Sequence, residues 1–246
     1  MEDITSPSWI SFLQAVKEAK EALGNPEVLW YRGHANSDYY LLPSLLRSKN
    51  GLARERYLFT SFRKLSDRIL KRRESEWETL FDMQHYGVST RLLDWSETFG
   101  IALFFAATYN KASHSGTDAA IYLLDPIELN EISGVHSIFR IPEDEHRFGY
   151  TKIYWEHTPF SPSAPIAIEP IFINDRMLAQ RGMFTVHNDK RDPIEKLYPS
   201  AVKKVILPSS TVPAALEFLE LSNLNIFSVF PDLAGLADYL MRTSGL

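Results

Sequence analysis

Apolar residues recur along the chain at two spacings, which predict helices interspersed with short strands. Helical spacing predicts helices at residues 9–23, 52–81, 98–109, 211–221 and 233–241, with a helical turn at 174–179. Short apolar runs predict strands at residues 28–31, 119–124, 183–187, 201–207 and 226–230, with extended pieces at 166–168 and 170–173. Residues 127–165 are expected to form a long irregular excursion. This mixture favours an α+β or mixed α/β fold.

The pattern contains no internal repeat and no convincing domain break, so we expect residues 1–246 to form one domain. A hydrophobic content of 45% and a charged content of 23% are typical of soluble globular proteins. No apolar run approaches the roughly 20 residues that span a bilayer, and the polar N-terminus lacks a signal-peptide pattern. We therefore expect a cytoplasmic protein without a membrane partner.

Composition narrows the chemistry further. The chain has no cysteine, which excludes disulfides, thiolate metal sites and a thiol nucleophile. Its seven histidines are scattered, so we expect no metal cofactor. The net charge of −5 does not indicate a nucleic-acid binder. A local basic cluster of Arg68 and residues 71–73 lies among glutamates, which is typical of a solvated helix face, although phosphate contact is an alternative.

Residues 82–96 concentrate polar side chains directly before the apolar run 99–107. The polar and aromatic members of this stretch are Gln84, His85, Tyr86, Ser89, Thr90, Arg91, Asp94 and Trp95. Hydrogen-bonding groups beside a buried element must find partners, because an unpaired buried polar group costs about 1–3 kcal/mol. The stretch is therefore either a structural hydrogen-bond hub, with Arg91 paired to Asp94, or a ligand site.

Arg32 follows a predicted strand and needs a partner if it is buried. One interpretation is a salt bridge to Asp38 or Asp94. The other is a guanidinium that holds a phosphate through two hydrogen bonds, with Gly33 allowing a ligand to approach the backbone closely. A satisfied buried amide explains Gln180 equally well, and the size of Trp95 favours a core aromatic over a stacking platform.

Three blocks of this sequence resemble the signature of the FRG domain, a family widespread in bacteria and named for an aromatic-Arg-Gly motif. They are Trp30-Tyr-Arg-Gly33, Gln84-His-Tyr-Gly-Val-Ser-Thr-Arg-Leu-Leu-Asp-Trp95, and Ile168-Glu-Pro followed by Asn174-Asp-Arg-Met-Leu-Ala-Gln-Arg-Gly-Met-Phe184. The resemblance spans about residues 25–190, with 191–246 as the C-terminal strand-and-helix part of the same domain. It supplies no activity by itself.

The chain is also similar to ADP-ribosyltransferases of the Arg-Ser-Glu type, which implies a mainly antiparallel mixed sheet with flanking helices and NAD as substrate. The similarity gives catalytic roles to Arg32, Ser89, Thr90 and Gln180. Arg32 would hold the phosphate next to the nicotinamide ribose, the Gly33 backbone would bind the nicotinamide amide, and Ser89 and Thr90 would orient the site. The other expected NAD contacts are Tyr31, His85, Tyr86, Arg91 and Trp95.

The glutamate expected in this type of enzyme is missing, since Gly182 occupies its place. Candidate carboxylates elsewhere are Asp94, Glu97 and Glu169. We expect an NAD-dependent ADP-ribosyltransferase that modifies a protein or a nucleic acid, with a toxin or phage-defence effector as the candidate role and an antitoxin as a candidate partner. The alternatives are a non-catalytic nucleotide- or nucleic-acid-binding module and a protein-interaction module.

Overall fold

A mixed β-sheet forms the centre of the computed structural model, which describes residues 2–70, 75–113, 116–141 and 143–244. The seven strands of the described part are β1 (Trp30–His34), β2 (Leu92–Ser96), β3 (Ala119–Leu124), β4 (Phe139–Ile141), β5 (Ile166–Pro170), β6 (Gly182–Val186) and β7 (Val202–Leu207). Their order across the sheet is β4-β5-β6-β2-β1-β3-β7. Only the pair β4–β5 is parallel. The expected α+β fold with a mainly antiparallel mixed sheet is confirmed.

Helices cover both faces of this sheet. They are α1 (Pro7–Glu21), α2 (Ser44–Arg47), α3 (Gly51–Leu70), α4 (Glu76–His85), α5 (Phe99–Ser113), α6 (Pro126–Glu131), α7 (Tyr150–Tyr154), α8 (Asp175–Ala179), α9 (Ile194–Leu197), α10 (Val212–Leu221), α11 (Ile226–Val229) and α12 (Leu233–Thr243). The apolar helix α5 packs with α1 and α10 over β3 and β7. No described helix combines the length and hydropathy that crossing a lipid bilayer requires.

Helix α5 lies directly on β1 at Gly33. A Cβ atom at this position would stand 1.8 Å from the main-chain oxygen of Ala102 and 2.8 Å from the nitrogen of Ala106. Gly33 therefore leaves room for the backbone of α5, because any side chain at this position would clash with that helix.

Three predictions about the elements are corrected. Residues 226–230 are not a strand, because Asn225 and Ser228 form a capping box that starts α11. Residues 127–165 are not irregular throughout, since they contain most of α6 and all of β4 and α7. The helical region 52–81 comprises α3 and a separate helix α4, which begins at a capping box on Ser75. Residues 71–73 of the basic cluster lie outside the described residues.

Candidate functional site

The three blocks found in the sequence meet at one cavity of about 220 Å³. It lies between β1, β2 and β6 on one side and α4, α5 and α8 on the other. Its polar lining consists of Arg32, Gln84, His85, Asp94, Ser96, Arg176 and Gln180. Its aromatic walls are Tyr31, Phe81, Trp95, Phe105 and Phe184. An apolar pocket with a few convergent polar groups is the usual form of a small-molecule site.

The cavity opens where β1 and β2 diverge. These strands pair at one position, Tyr31 with Ser96, whereas β1 pairs with β3, and β2 with β6, over five positions each. Beyond Tyr31 the side chain of Arg32 crosses the gap, and its Nη1 donates to the main-chain oxygen of Asp94 at 2.5 Å. The guanidinium thus satisfies a strand carbonyl at the point where strand pairing stops.

His34 fixes the other end of the Arg32 guanidinium. Arg32 Nε donates to His34 Nε2 at 3.0 Å, and His34 Nδ1 lies 3.2 Å from the main-chain oxygen of Tyr39. A neutral imidazole with its proton on Nδ1 satisfies both contacts. Burial and the neighbouring guanidinium lower the pKa of His34 to about 3, which keeps the ring neutral.

Asp94 presents a carboxylate to the cavity beside Arg32. Its Oδ2 lies 3.6 Å from Arg32 Nη1, and its side chain is 53% exposed. Gln84 Nε2 donates to the same Oδ2 at 2.8 Å. Thr90 in turn donates its hydroxyl to Gln84 Oε1 at 2.6 Å and accepts from the main-chain nitrogen of Leu92 at 3.0 Å. Thr90 therefore decides which end of the Gln84 amide faces Asp94.

Arg91 belongs to a buried ion network away from the cavity. Glu55 accepts two hydrogen bonds from it, at 2.5 and 2.7 Å, and Asp189 accepts one at 2.6 Å. The hydroxyl of Tyr150 also donates to Glu55. The expected pairing of Arg91 with Asp94 is wrong, since the segment is extended rather than helical, and residues three apart on a strand face opposite sides.

The remaining predicted residues divide between the cavity and its surroundings. His85 lines the cavity, but its neighbour Tyr86 is 64% exposed and is absent from the lining. Ser89 is half-buried on the connection to β2 and is also outside the lining. Trp95 is 3% exposed, so it is a core side chain that supplies part of the wall. Gln180 lines the cavity while its Nε2 donates to Val229 O at 3.1 Å.

Asp94 is the carboxylate that this cavity presents, and the other candidates lie elsewhere. Glu97 is exposed, and Glu169 pairs with Arg140 at 3.3 Å. Gly182 does line the cavity. A Cβ atom there would stand 3.6 Å from Met177 O, an ordinary contact, so the position has room for at least the Cβ atom that glycine lacks.

The sequence indicates no functional role for several residues of the lining, among them Gln84, Phe105 and Arg176. Gln84 belongs to the polar stretch 82–96, but its spacing from Asp94 does not predict that the two side chains are in contact. Phe105 is one of many apolar residues of α5. Arg176 stands in a short helix capped by Asn174, and the local pattern does not reveal which way its side chain faces.

Comparison with known proteins supports the first resemblance. Residues 27–115 match the family model of the FRG domain. The match includes β1 with Arg32 and the whole block 84–95, while the third block lies outside it. Neither a curated protein nor a solved structure matches the chain. The resemblance to the FRG domain is thus confirmed over residues 27–115, the region that contributes Arg32, Gln84 and Asp94 to the cavity.

Proposed function

We propose that the cavity binds NAD and that the protein transfers the ADP-ribosyl group of NAD to a macromolecule. The observation that carries this proposal is the placement of Arg32 and Asp94, a guanidinium and an accessible carboxylate 3.6 Å apart on one aromatic-walled cavity. A cation for phosphate and an anion for a ribosyl cation are the two charges that this reaction requires.

The cavity suits one end of a dinucleotide. Its volume of about 220 Å³ is below the roughly 300–1,000 Å³ of sites that enclose a drug-sized ligand. A planar nicotinamide with its ribose would therefore be enclosed, and the rest of NAD would extend past the opening. Tyr31, Trp95 and Phe184 offer apolar surface for the ring. Arg32 Nη2, which donates to no described residue, is left for a phosphate oxygen.

The reaction is a substitution at C1′ of the nicotinamide ribose. The bond from C1′ to the pyridinium nitrogen breaks, its electron pair goes to that nitrogen, and neutral nicotinamide leaves. The carboxylate of Asp94 stabilises the oxocarbenium-like transition state. A nucleophile of the acceptor forms the new bond to C1′ and gives its proton to Asp94 or to water.

The other groups would position this carboxylate. Gln84 holds Oδ2 of Asp94, and Thr90 orients Gln84. Gln180 is partly committed to Val229 and would act through its remaining amide oxygen on a ribose hydroxyl. In this proposal Arg91 stabilises the fold, and Ser89 and Tyr86 lie too far along the connection to act from the lining.

A nucleotide-binding module without turnover is the second candidate. Gly182 favours it, because this position, where the similarity to ADP-ribosyltransferases leads one to expect a glutamate, supplies no carboxylate to the cavity. The roles of toxin or phage-defence effector, and an antitoxin as partner, stay predictions on either reading.

The test is incubation of the protein with a cell lysate and NAD labelled in its adenylate phosphate. The wild type should label protein or nucleic acid, and separating the two fractions identifies the acceptor class. Arg32→Lys should abolish labelling, since an ammonium cannot hold His34, Asp94 and a phosphate together. Arg140→Lys, at an exposed position outside the cavity, is the control. Unlabelled lysate with intact NAD would contradict the proposal.

A further inference from the structure

The cavity contains a second guanidinium, that of Arg176. It lies over the ring of Phe230, with Cζ 4.5 Å from the ring centroid. The side chain is half-buried, and it forms no salt bridge or hydrogen bond with a described residue. Partly buried arginines usually have a counter-ion. The absence of one among the described residues therefore suggests that Arg176 does more than pack against Phe230.

The position of Arg176 is well defined by its surroundings. The side chain of Asn174 accepts a hydrogen bond from Met177 N at 2.9 Å and so starts α8. Met177, next in the chain, is 7% exposed and anchors the helix in the core. Contact with Phe230 then holds the guanidinium in place. Its N–H groups donate to no described residue and are therefore available for an acceptor.

The charge of the cavity lining favours an anion. Arg32 and Arg176 face one carboxylate, Asp94, and that carboxylate already lies beside Arg32. Burial and the proximity of Arg176 lower the pKa of His85 more than Asp82 and Asp232 raise it, so the ring is neutral and adds no charge to the lining. The lining thus holds one positive charge in excess, in a chain whose net charge is −5.

We infer that Arg176 and Arg32 together form a diphosphate site, in which each guanidinium binds one phosphate group of a nucleoside diphosphate ligand. This inference rests on the proposed function and specifies it further, because it assigns much of the binding affinity for NAD to the diphosphate group. Guanidinium groups bind phosphate oxygens through their N–H donors. Arg32 retains those on Nη2, since its Nε and Nη1 donate to His34 and Asp94, and Arg176 donates to no described residue.

Calorimetric titration with ADP-ribose and with AMP tests the inference. Arg176→Gln should weaken ADP-ribose binding about 10-fold or more, the effect of losing a charged hydrogen bond, and should weaken AMP binding less than about 3-fold, since AMP has a single phosphate for Arg32. Arg181→Gln is the matched control, because Arg181 is exposed and outside the lining. Arg176→Lys should recover much of the affinity, which loss of stacking on Phe230 would not predict.

Two results would overturn the inference: equal ADP-ribose affinity for wild type and Arg176→Gln, or a wild type that binds ADP-ribose no better than AMP. Failure of the proposed function is distinguishable from both. If the wild type binds ADP-ribose through Arg176 but never consumes NAD, the diphosphate site stands and the transferase proposal falls. If the wild type consumes NAD and Arg176→Gln binds ADP-ribose with unchanged affinity, the transferase proposal stands and the diphosphate site falls.

Discussion

Arg32 Nη1 lies 2.5 Å from the main-chain oxygen of Asp94 and 3.6 Å from a carboxylate oxygen of the same residue. The side chain of Arg32 therefore joins two diverging strands and also places a positive charge beside the carboxylate of Asp94. This dual contact explains why the site lies at the divergence of β1 and β2, where side chains rather than backbone groups bridge the sheet.

Thr90 should matter for activity although it does not line the cavity. Thr90→Val removes the donor to Gln84 Oε1 and the acceptor for Leu92 N, so unfolding free energy should fall by about 1–3 kcal/mol. Because a neutral hydrogen bond contributes about 1 kcal/mol, turnover should fall roughly 5–10-fold. Thr90→Ser should restore both quantities. Nicotinamide release and chemical denaturation measure them, and a Thr90→Val protein with wild-type turnover would refute the positioning role.

Two glycines at the cavity should differ strongly in how far substitution by alanine lowers stability. Gly33→Ala places a Cβ 1.8 Å from a backbone oxygen of α5, so the helix must shift, at about 1–3 kcal/mol or more. Gly182→Ala meets only ordinary contacts and should change stability by less than about 1 kcal/mol. Thermal melting of both variants is the measurement, and equal melting temperatures would show that α5 does not need Gly33.

The two carboxylates on Arg91 should differ strongly in their effect on stability. Glu55 is 6% exposed, and Glu55→Gln leaves a buried guanidinium underpaired, which typically costs about 3–5 kcal/mol. The side chain of Asp189 is 61% exposed, so Asp189→Asn should cost about 0–1 kcal/mol. Urea denaturation distinguishes them. Similar losses for both variants would contradict the buried character of the Arg91–Glu55 pair.

Stability should fall on acidification through His34 and His187. Burial lowers the pKa of each to about 3 in the folded chain, against about 6.5 when unfolded. The unfolded state therefore binds more protons between pH 6.5 and 3, and stability that is complete above pH 6.5 is lost as the pH falls. Each histidine should cost about 2 kcal/mol at pH 5. His187→Gln should flatten the dependence of the urea midpoint on pH; an unchanged slope would count against this.

Part of the site can be predicted from the sequence. Two sequence features predicted two sides of the cavity: the polar residues of 84–95 before an apolar helix, and Arg32 at the end of a strand. Such polar groups, when buried, must form hydrogen bonds within the protein or bind a ligand. Individual partners were not readable. Arg91 finds Glu55 on α3, 36 residues away, and only the extended conformation of β2 decides that Asp94, rather than Arg91, faces the cavity.

The sequence also gives a wrong prediction where strand-like composition and helix capping compete in one segment. Residues 226–230 have the β-branched and aromatic composition of a strand, yet capping by Asn225 and Ser228 gives a helical turn. Phe230, which follows that turn, then reaches Arg176. That contact joins two segments far apart in the chain, and no pattern within either segment contains it.

The most direct test of the account compares nicotinamide release from NAD by purified wild type and Asp94→Asn, with ADP-ribose affinity measured on the same samples. The substituted amide keeps an acceptor for Gln84 but removes the charge. Asp94→Asn should release nicotinamide at least about 100-fold more slowly than the wild type, with ADP-ribose affinity unchanged within about 3-fold. Equal rates for the two proteins would contradict the account, as would a wild type that binds ADP-ribose and releases no nicotinamide with or without lysate.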